Sequence, residues 1–195
     1  MKLILIILVG IFLLLPLVWL IWNSRTHTPT APYTVVRHEG AFEWRDYPAL
    51  TLATTPMNDS RGSNAFGHLF GFITGRNATR EKIPMTTPVL IDSNTGKKSM
   101  SFVMPEIVAQ KGAPEPGESN VHLVKMEPGR YAVLRFKGNG SEKNQQAAME
   151  KLQACLREHG IAAESEPIFA YYDPPWTPVF LRRNEVMLRV AKEPK

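Results

Sequence analysis

Residues 33–40, YTVVRHEG, and 42–55, FEWRDYPALTLATT, decide the reading of this chain, because both are crowded with Val, Thr, Tyr, Phe and Trp. Branched and aromatic side chains suit a pleated backbone, and Gly40 interrupts the run, so two strands of a hairpin are expected. A helix follows. Ser63 or Asn64 supplies its N-terminal cap and it runs to about Gly75, with Phe66, Leu69, Phe70 and Ile73 at i, i+3, i+4 and i+7 as its expected buried stripe. Further strands are expected at 86–91 and 99–104.

A loop rich in Pro and Gly, 105–120, separates this set from a second one. Its strands are expected at 121–127 and 131–137, followed by a helix at 141–159 stopped by Gly160 and by strands at 168–172 and 185–190. This second helix should bury Ala148, Leu152, Cys155 and Leu156. Strand-strand-helix-strand-strand thus occurs twice, in halves of about 33–104 and 121–191. Tyr47-Pro48-Ala49 echoes Tyr131-Ala132-Val133, and Thr87-Pro88-Val89 echoes Thr177-Pro178-Val179, but the repeated element order is the stronger argument. The fold class is α+β. Two such halves join as a curved antiparallel sheet or distorted barrel with the helices packed outside, and a ligand groove is expected at their seam.

Ahead of this unit, residues 3–22 read LILIILVGIFLLLPLVWLIW without a charge. About 20 apolar residues cross a bilayer core, so 1–22 is expected as a transmembrane anchor with Trp19 and Trp22 at the headgroup layer. The run is longer than a signal-peptide core and no clear A-x-A site follows, which favours an uncleaved anchor. Lys2 and the α-amine, set against Arg25, favour a domain on the extracytoplasmic side. Residues 23–32, with Ser, Thr and Pro, read as a tether to the domain at 33–191.

The 195 residues are 44% apolar and 21% charged, which excludes a disordered chain. Lys and Arg number 23 against 18 Asp and Glu, a net charge of +5 with no basic run of five, so nucleic-acid binding is not expected. The single cysteine, Cys155, excludes an internal disulfide, a CxxC zinc site and covalent haem attachment. GxSxG, GxGxxG, P-loop and HExxH motifs are absent, and the domain is expected to be non-catalytic. Glu39, Glu43 and Glu185 are the carboxylates that a rival reading, a small-molecule hydrolase, would use.

Two segments offer binding chemistry. On a helical wheel, His68 and Phe72 lie opposite the expected buried stripe, and Gly67 and Gly71 beside them leave backbone open to a flat ligand. The plainer reading is an amphipathic helix whose second face meets water or another element. In 171–185, three prolines fix φ among Tyr172, Trp176 and Phe180, and Arg182 and Arg183 follow. Planar apolar ligands bearing carboxylates suit that mixture, although prolines also shape ordinary turns and adjacent arginines are usually solvated.

FGHLFGFITGRN (66–77), KIPMTTPV (82–89), SFVMP (101–105) and YYDPPWTPVFLRRNEV (171–186), in this order, resemble the SOUL/haem-binding-protein family over about 33–190. The resemblance implies a distorted β-barrel of two similar halves with two helices, akin to GyrI-like effector-binding domains. It also implies noncovalent binding of haem or another tetrapyrrole in an apolar cleft between the first helix and the proline-aromatic loop. Carried onto this chain, the helix side is His68, Gly71, Phe72 and Arg76, and the loop side is Tyr172, Trp176, Phe180 and Arg182. His68 is the candidate iron ligand, on the wheel argument alone. The function expected is a haem buffer or carrier held at a membrane; the alternative within binding modules is another planar or amphiphilic guest without iron ligation.

Overall fold

A computed structural model describes residues 28–57, 63–92 and 97–191. The segment expected to span a membrane, 1–22, lies outside the described residues; among these, no helix is long and apolar enough to cross a bilayer. Nine strands and three helices follow in order: β1 (Thr34–Glu39), β2 (Phe42–Tyr47), β3 (Leu50–Pro56), α1 (Ser63–Ile73), β4 (Val89–Asp92), β5 (Ser99–Val103), α2 (Glu106–Lys111), β6 (His122–Met126), β7 (Gly129–Phe136), α3 (Glu142–Glu158), β8 (Ile168–Tyr171) and β9 (Asn184–Val190). The second segment of the expected hairpin is two strands, because Pro48 cannot donate to a ladder and bends the chain between β2 and β3. Helix α2 was hidden inside the Pro/Gly-rich loop; Pro105 stands at its N-cap and six residues offer too little periodicity to read.

All nine strands form one antiparallel sheet in the order β1-β2-β7-β9-β8-β4-β5-β3-β6. Without β1, this order maps onto itself when β2-β3-α1-β4-β5 is exchanged for β6-β7-α3-β8-β9, with the β4–β8 pair at the centre. The doubled element order is therefore real. The letter echoes are not: Thr87-Pro88-Val89 leads into β4, whereas Thr177-Pro178-Val179 comes after β8, and Tyr47 ends β2 while Tyr131 lies inside β7.

The sheet is not closed into the barrel expected from the sequence. Among the described residues, strand β1 pairs only with β2, and β6 only with β3, which puts both at the edges of the sheet. Exposed Arg37 and His38 on β1, and His122 and Lys125 on β6, keep these edges polar, a common protection against further pairing.

Alternation along the strands sorts the core. Ala132, Leu134, Val186 and Leu188 turn to α3, which meets them with Ala148, Leu152, Cys155 and Leu156, the face expected. Tyr131, Val133 and Met187 turn to the other side and pack with Tyr47, Leu52, Leu90 and Val103. Ser141 caps α3 by accepting from the Asn144 backbone N–H, and Gly160 takes the left-handed conformation at its end, with φ 65°.

Helix α1 is turned differently from the expectation. Its buried residues are Ala65, Leu69, Phe72 and Ile73, packed on Ala53, Phe102 and Met104. Phe66 and Phe70 are 40% and 48% exposed, so the sequence stripe chose the wrong pair of phenylalanines. The helix is apolar on most sides, and i, i+4, i+7, i+8 is as good a helical stripe as i, i+3, i+4, i+7. Tertiary packing decided between them. Phe72→Ala should cost about 3–5 kcal/mol in urea unfolding, and Phe70→Ala about 1 kcal/mol or less; the reverse ranking would contradict this orientation.

Candidate functional site

The C-terminus of α1 builds one half of the site. Gly75, with φ 116°, ends the helix, and the Arg76 N–H donates back to the Gly71 carbonyl at 2.8 Å, closing a Schellman turn. Asn77 is buried and locks that turn, its Nδ2 donating to the carbonyls of Phe72 at 2.9 Å and Glu81 at 2.8 Å. Arg76 is thereby folded over Gly71: a Cβ there would stand 3.0 Å from its Nε. Gly71, expected as backbone on the ligand side, is covered here by an arginine of the same chain. Gly67 has nothing within 4 Å of such a Cβ and remains open.

Against this turn lies residue stretch 115–118. The Gly117 N–H donates to the Arg76 carbonyl at 3.1 Å, and the Ala78 N–H to the Glu115 carbonyl at 2.9 Å. Only glycine fits at 117, where a Cβ would meet the Arg76 carbonyl oxygen at 2.9 Å. The stitching delivers Glu118 to the helix: its Oε2 lies 2.5 Å from His68 Nδ1, and its Oε1 accepts from Arg76 Nη1 at 2.9 Å. These bonds from Arg76 and His68 hold the Glu118 carboxyl below its ordinary pKa. His68 meets the carboxylate through Nδ1, so Nε2 is the ring nitrogen not used in this contact, and the side chain is 37% exposed. Nothing near Glu118 in sequence marks it, since its partners lie 50 and 42 residues away.

The outward side of α1 also carries Phe66 and Phe70, stacked at 5.9 Å between centroids and 14° between planes. Phe72, expected beside His68 on that surface, is in the core. The exposed face therefore has His68 and Arg76 on one flank, open backbone at Gly67, and an aromatic pair on the other flank.

The proline-aromatic loop, 172–183, is a compact structure of its own. Arg182 Nε donates to the Thr177 carbonyl at 2.8 Å and its Nη2 to the Pro175 carbonyl. That guanidinium, expected as a partner for a ligand carboxylate, is bonded here to the loop's own backbone. Trp176 and Phe180 are 70% and 71% exposed. Tyr172 points inward instead of lining a cleft: its hydroxyl donates to Glu185 Oε2 at 2.9 Å and its ring lies 3.8 Å from the Arg183 Cζ. An open hollow of about 500 Å³ beside the start of α3, lined by Lys98, Gln146, Met149 and Phe169 among others, contains none of these residues.

Tyr172 belongs to a buried charged cluster on the side of the sheet away from α3. Arg45 forms a bidentate pair with Glu185, at 2.7 and 3.0 Å, and also donates to Glu43 at 2.7 Å. Arg183 donates to Glu185 Oε1 at 2.7 Å, and Arg45 lies over the Tyr33 ring at 4.2 Å. Burial alone raises the Glu185 pKa, but the Arg45 and Arg183 bonds outweigh it and hold the carboxyl low. Burial pushes the Tyr47 hydroxyl up to about 12. All three carboxylates considered for hydrolysis are thus bound by arginines: Glu43 by Arg45, Glu185 by Arg45 and Arg183, and Glu39 by Arg37, with His159 beside it.

Comparison with known proteins places this geometry. The sequence profile of the SOUL heme-binding protein family matches residues 28–189. The chain belongs to that family. It is 29% identical to heme-binding protein 2 of Mus musculus over 176 residues, covering 84% of this chain and 85% of the mouse protein. The Homo sapiens heme-binding protein 2 is likewise 29% identical, over 175 residues. Among solved structures, the EcmrR C-terminal domain is similar with a TM-score of 0.58 at 12% identity, covering 82% of this SOUL chain and 98% of that domain. A hydrolase from Listeria innocua is similar with a TM-score of 0.51 at 10% identity, covering 87% and 96%. At such identities the likeness is one of fold.

Glu185 makes acid sensitivity predictable. Its folded-state pKa lies below the ordinary 4.5, so its stabilisation is fully present above that value and is lost as pH falls through the acid range. Glu185→Gln should cost about 3–5 kcal/mol at pH 7, since it removes the carboxylate that Arg183 and Arg45 share and leaves Arg45 with Glu43 alone. In urea melts, the gap between wild type and variant should narrow from pH 6 to pH 3; a gap independent of pH would contradict the assignment.

Proposed function

We propose that this chain binds haem or a related tetrapyrrole noncovalently, in a domain held at a membrane by residues 3–22 on the extracytoplasmic side. Family membership over residues 28–189 is the observation that carries the reading. The exposed face of α1 suits such a guest. A porphyrin is a large apolar plane, and Phe66, Phe70 and the backbone at Gly67, which among the described residues has nothing within 4 Å of an added Cβ, supply apolar surface. His68 Nε2 is the nitrogen that would hold the iron, with Glu118 fixing the ring through Nδ1. Arg76 is 68% exposed and stands next to this face as the cation for a propionate, shared with Glu118. Bound haem would bring redox-active iron and strong visible absorption to the site. A buffering or carrier role follows from reversible binding without covalent attachment.

A second reading is favoured by one observation: His68 and Arg76 are already bonded to Glu118, so a flat or amphiphilic guest could use the aromatic pair without any bond to iron. Titrating haemin into the full chain in detergent micelles distinguishes the two. We expect a shifted Soret band at micromolar haemin, with affinity about tenfold weaker when Phe66 and Phe70 are both changed to Ala, a loss near 1.4 kcal/mol. His68→Ala should alter the visible spectrum of the ferric complex. An unchanged spectrum would favour the guest without iron ligation, and no Soret shift at micromolar haemin would overturn tetrapyrrole binding.

A further inference from the structure

We propose that the tip of the loop between β8 and β9, carrying Trp176, Val179 and Phe180, docks into the lipid surface to which residues 3–22 anchor the chain. The inference rests on the anchor reading and goes beyond it: the folded domain itself, by a built loop, touches the bilayer.

The tip is apolar, outward and free of charge. Trp176, Val179 and Phe180 are 70%, 46% and 71% exposed, and the stretch from Pro174 to Leu181 contains no charged residue. Three large apolar side chains this exposed within five positions form a patch rather than scattered surface residues. Indole is the side chain most suited to the headgroup layer, and Phe to the acyl boundary beneath it.

The backbone of the tip is prepared for leaving water. Lipid penalises unpaired N–H and carbonyl groups. Pro174, Pro175 and Pro178 have no N–H to satisfy. The Thr177 N–H donates to the Pro174 carbonyl at 3.0 Å, and the Leu181 N–H to the Pro178 carbonyl at 2.9 Å. The Arg182 side chain covers the Thr177 and Pro175 carbonyls. Thr177 is buried and Asp173 Oδ2 accepts from the Arg183 N–H at 2.6 Å, closing the base. These bonds pair the Thr177 and Leu181 N–H groups and the Pro174, Pro175, Thr177 and Pro178 carbonyls, and Trp176 and Phe180 project outward from them.

The anchor arrives at the same end of the sheet. Residues 29–31 run beside Thr87: its N–H donates to the Pro29 carbonyl, and the Ala31 N–H donates to the Thr87 carbonyl, both at 2.8 Å. Two residues on, Val89, the first residue of β4, pairs with Tyr171, the last residue of β8, from which the loop departs. Tyr33 also accepts from Arg183 at 3.4 Å, at the loop's other base. From Trp22 to Pro29 there are seven residues, which span at most about 25 Å. The lipid surface is therefore held close to the tip, and a short tether makes docking effectively intramolecular.

The test uses the full chain reconstituted in phosphatidylcholine/phosphatidylglycerol vesicles. The chain has four tryptophans, so the signal of wild type minus Trp176→Phe isolates Trp176. We expect that difference signal to be quenched by at least half with lipids brominated near the headgroup, and to be shielded from aqueous iodide. Phe180→Asp should lower the bromolipid quenching severalfold while the thermal midpoint stays within a few degrees of wild type. Flotation separates the two readings: a chain that does not float with vesicles overturns both the anchor and the docking, whereas a floating chain whose Trp176 stays open to iodide overturns the docking alone. Shielding from iodide without bromolipid quenching overturns it in favour of contact with a second copy, and quenching by equimolar haemin without bromolipid quenching returns the loop to the tetrapyrrole.

Discussion

Neither half of this protein can complete its share of the sheet alone. Strand β2 of the first half pairs with β7 of the second, β3 with β6, and β4 with β8, so the halves are interleaved. Every backbone ladder that crosses the pseudo-twofold satisfies donors and acceptors that would otherwise face water at an edge. This exchange fixes the positions of everything outside the sheet: each helix rests on strands of its own half, and the loop between β8 and β9 leaves the sheet next to the segment that leads into β4. The chain reaches the domain at that same place through residues 29–31.

Charge is then used at two places in opposite ways. Glu185 is buried with Arg45 and Arg183 around it, a closed set in which each ion's desolvation is offset by direct bonds, and its hydrogen bonds tie β2, β9 and Tyr172 together. Glu118 sits near the surface, with His68 and Arg76 partly in solvent, so its bonds cost less to form and less to exchange. The first arrangement suits stability and the second suits a site where a ligand competes for the same side chains. Both carboxylates are drawn below their ordinary pKa by cationic or donor partners, but only the Glu118 set leaves a ring nitrogen available to a guest.

The exposed aromatic residues also divide by surroundings. Phe66 and Phe70 stack on each other above Phe102 and border open backbone, which suits a flat guest lying on the helix. Trp176 and Phe180 project from a loop that carries three prolines and bonds part of its own backbone, which suits an apolar surface.

Much of this was legible in the residues themselves. Period-2 alternation, the glycine stops and the Ser141 cap determined the element order, its repetition and the buried face of α3, because these depend on neighbours within one or two turns. Helix α1 was not legible in the same way: Ala65, Leu69, Phe72 and Ile73 compete with Phe66 and Phe70 for the core, and only the shape of the sheet beneath them could choose. The roles of Gly71, Arg182 and Tyr172 turned on partners that local pattern does not record: a folded-back Arg76, loop carbonyls and a buried carboxylate. Glu118 could not be found at all, because the contact that matters spans 50 residues and forms only when 115–118 is stitched to the end of the helix. Closure likewise belonged to the tertiary structure. The pattern of strands specifies a twisted antiparallel sheet, but whether its edges meet depends on the pairing of β1 and β6, which in the described residues pair with β2 and β3 and not with each other.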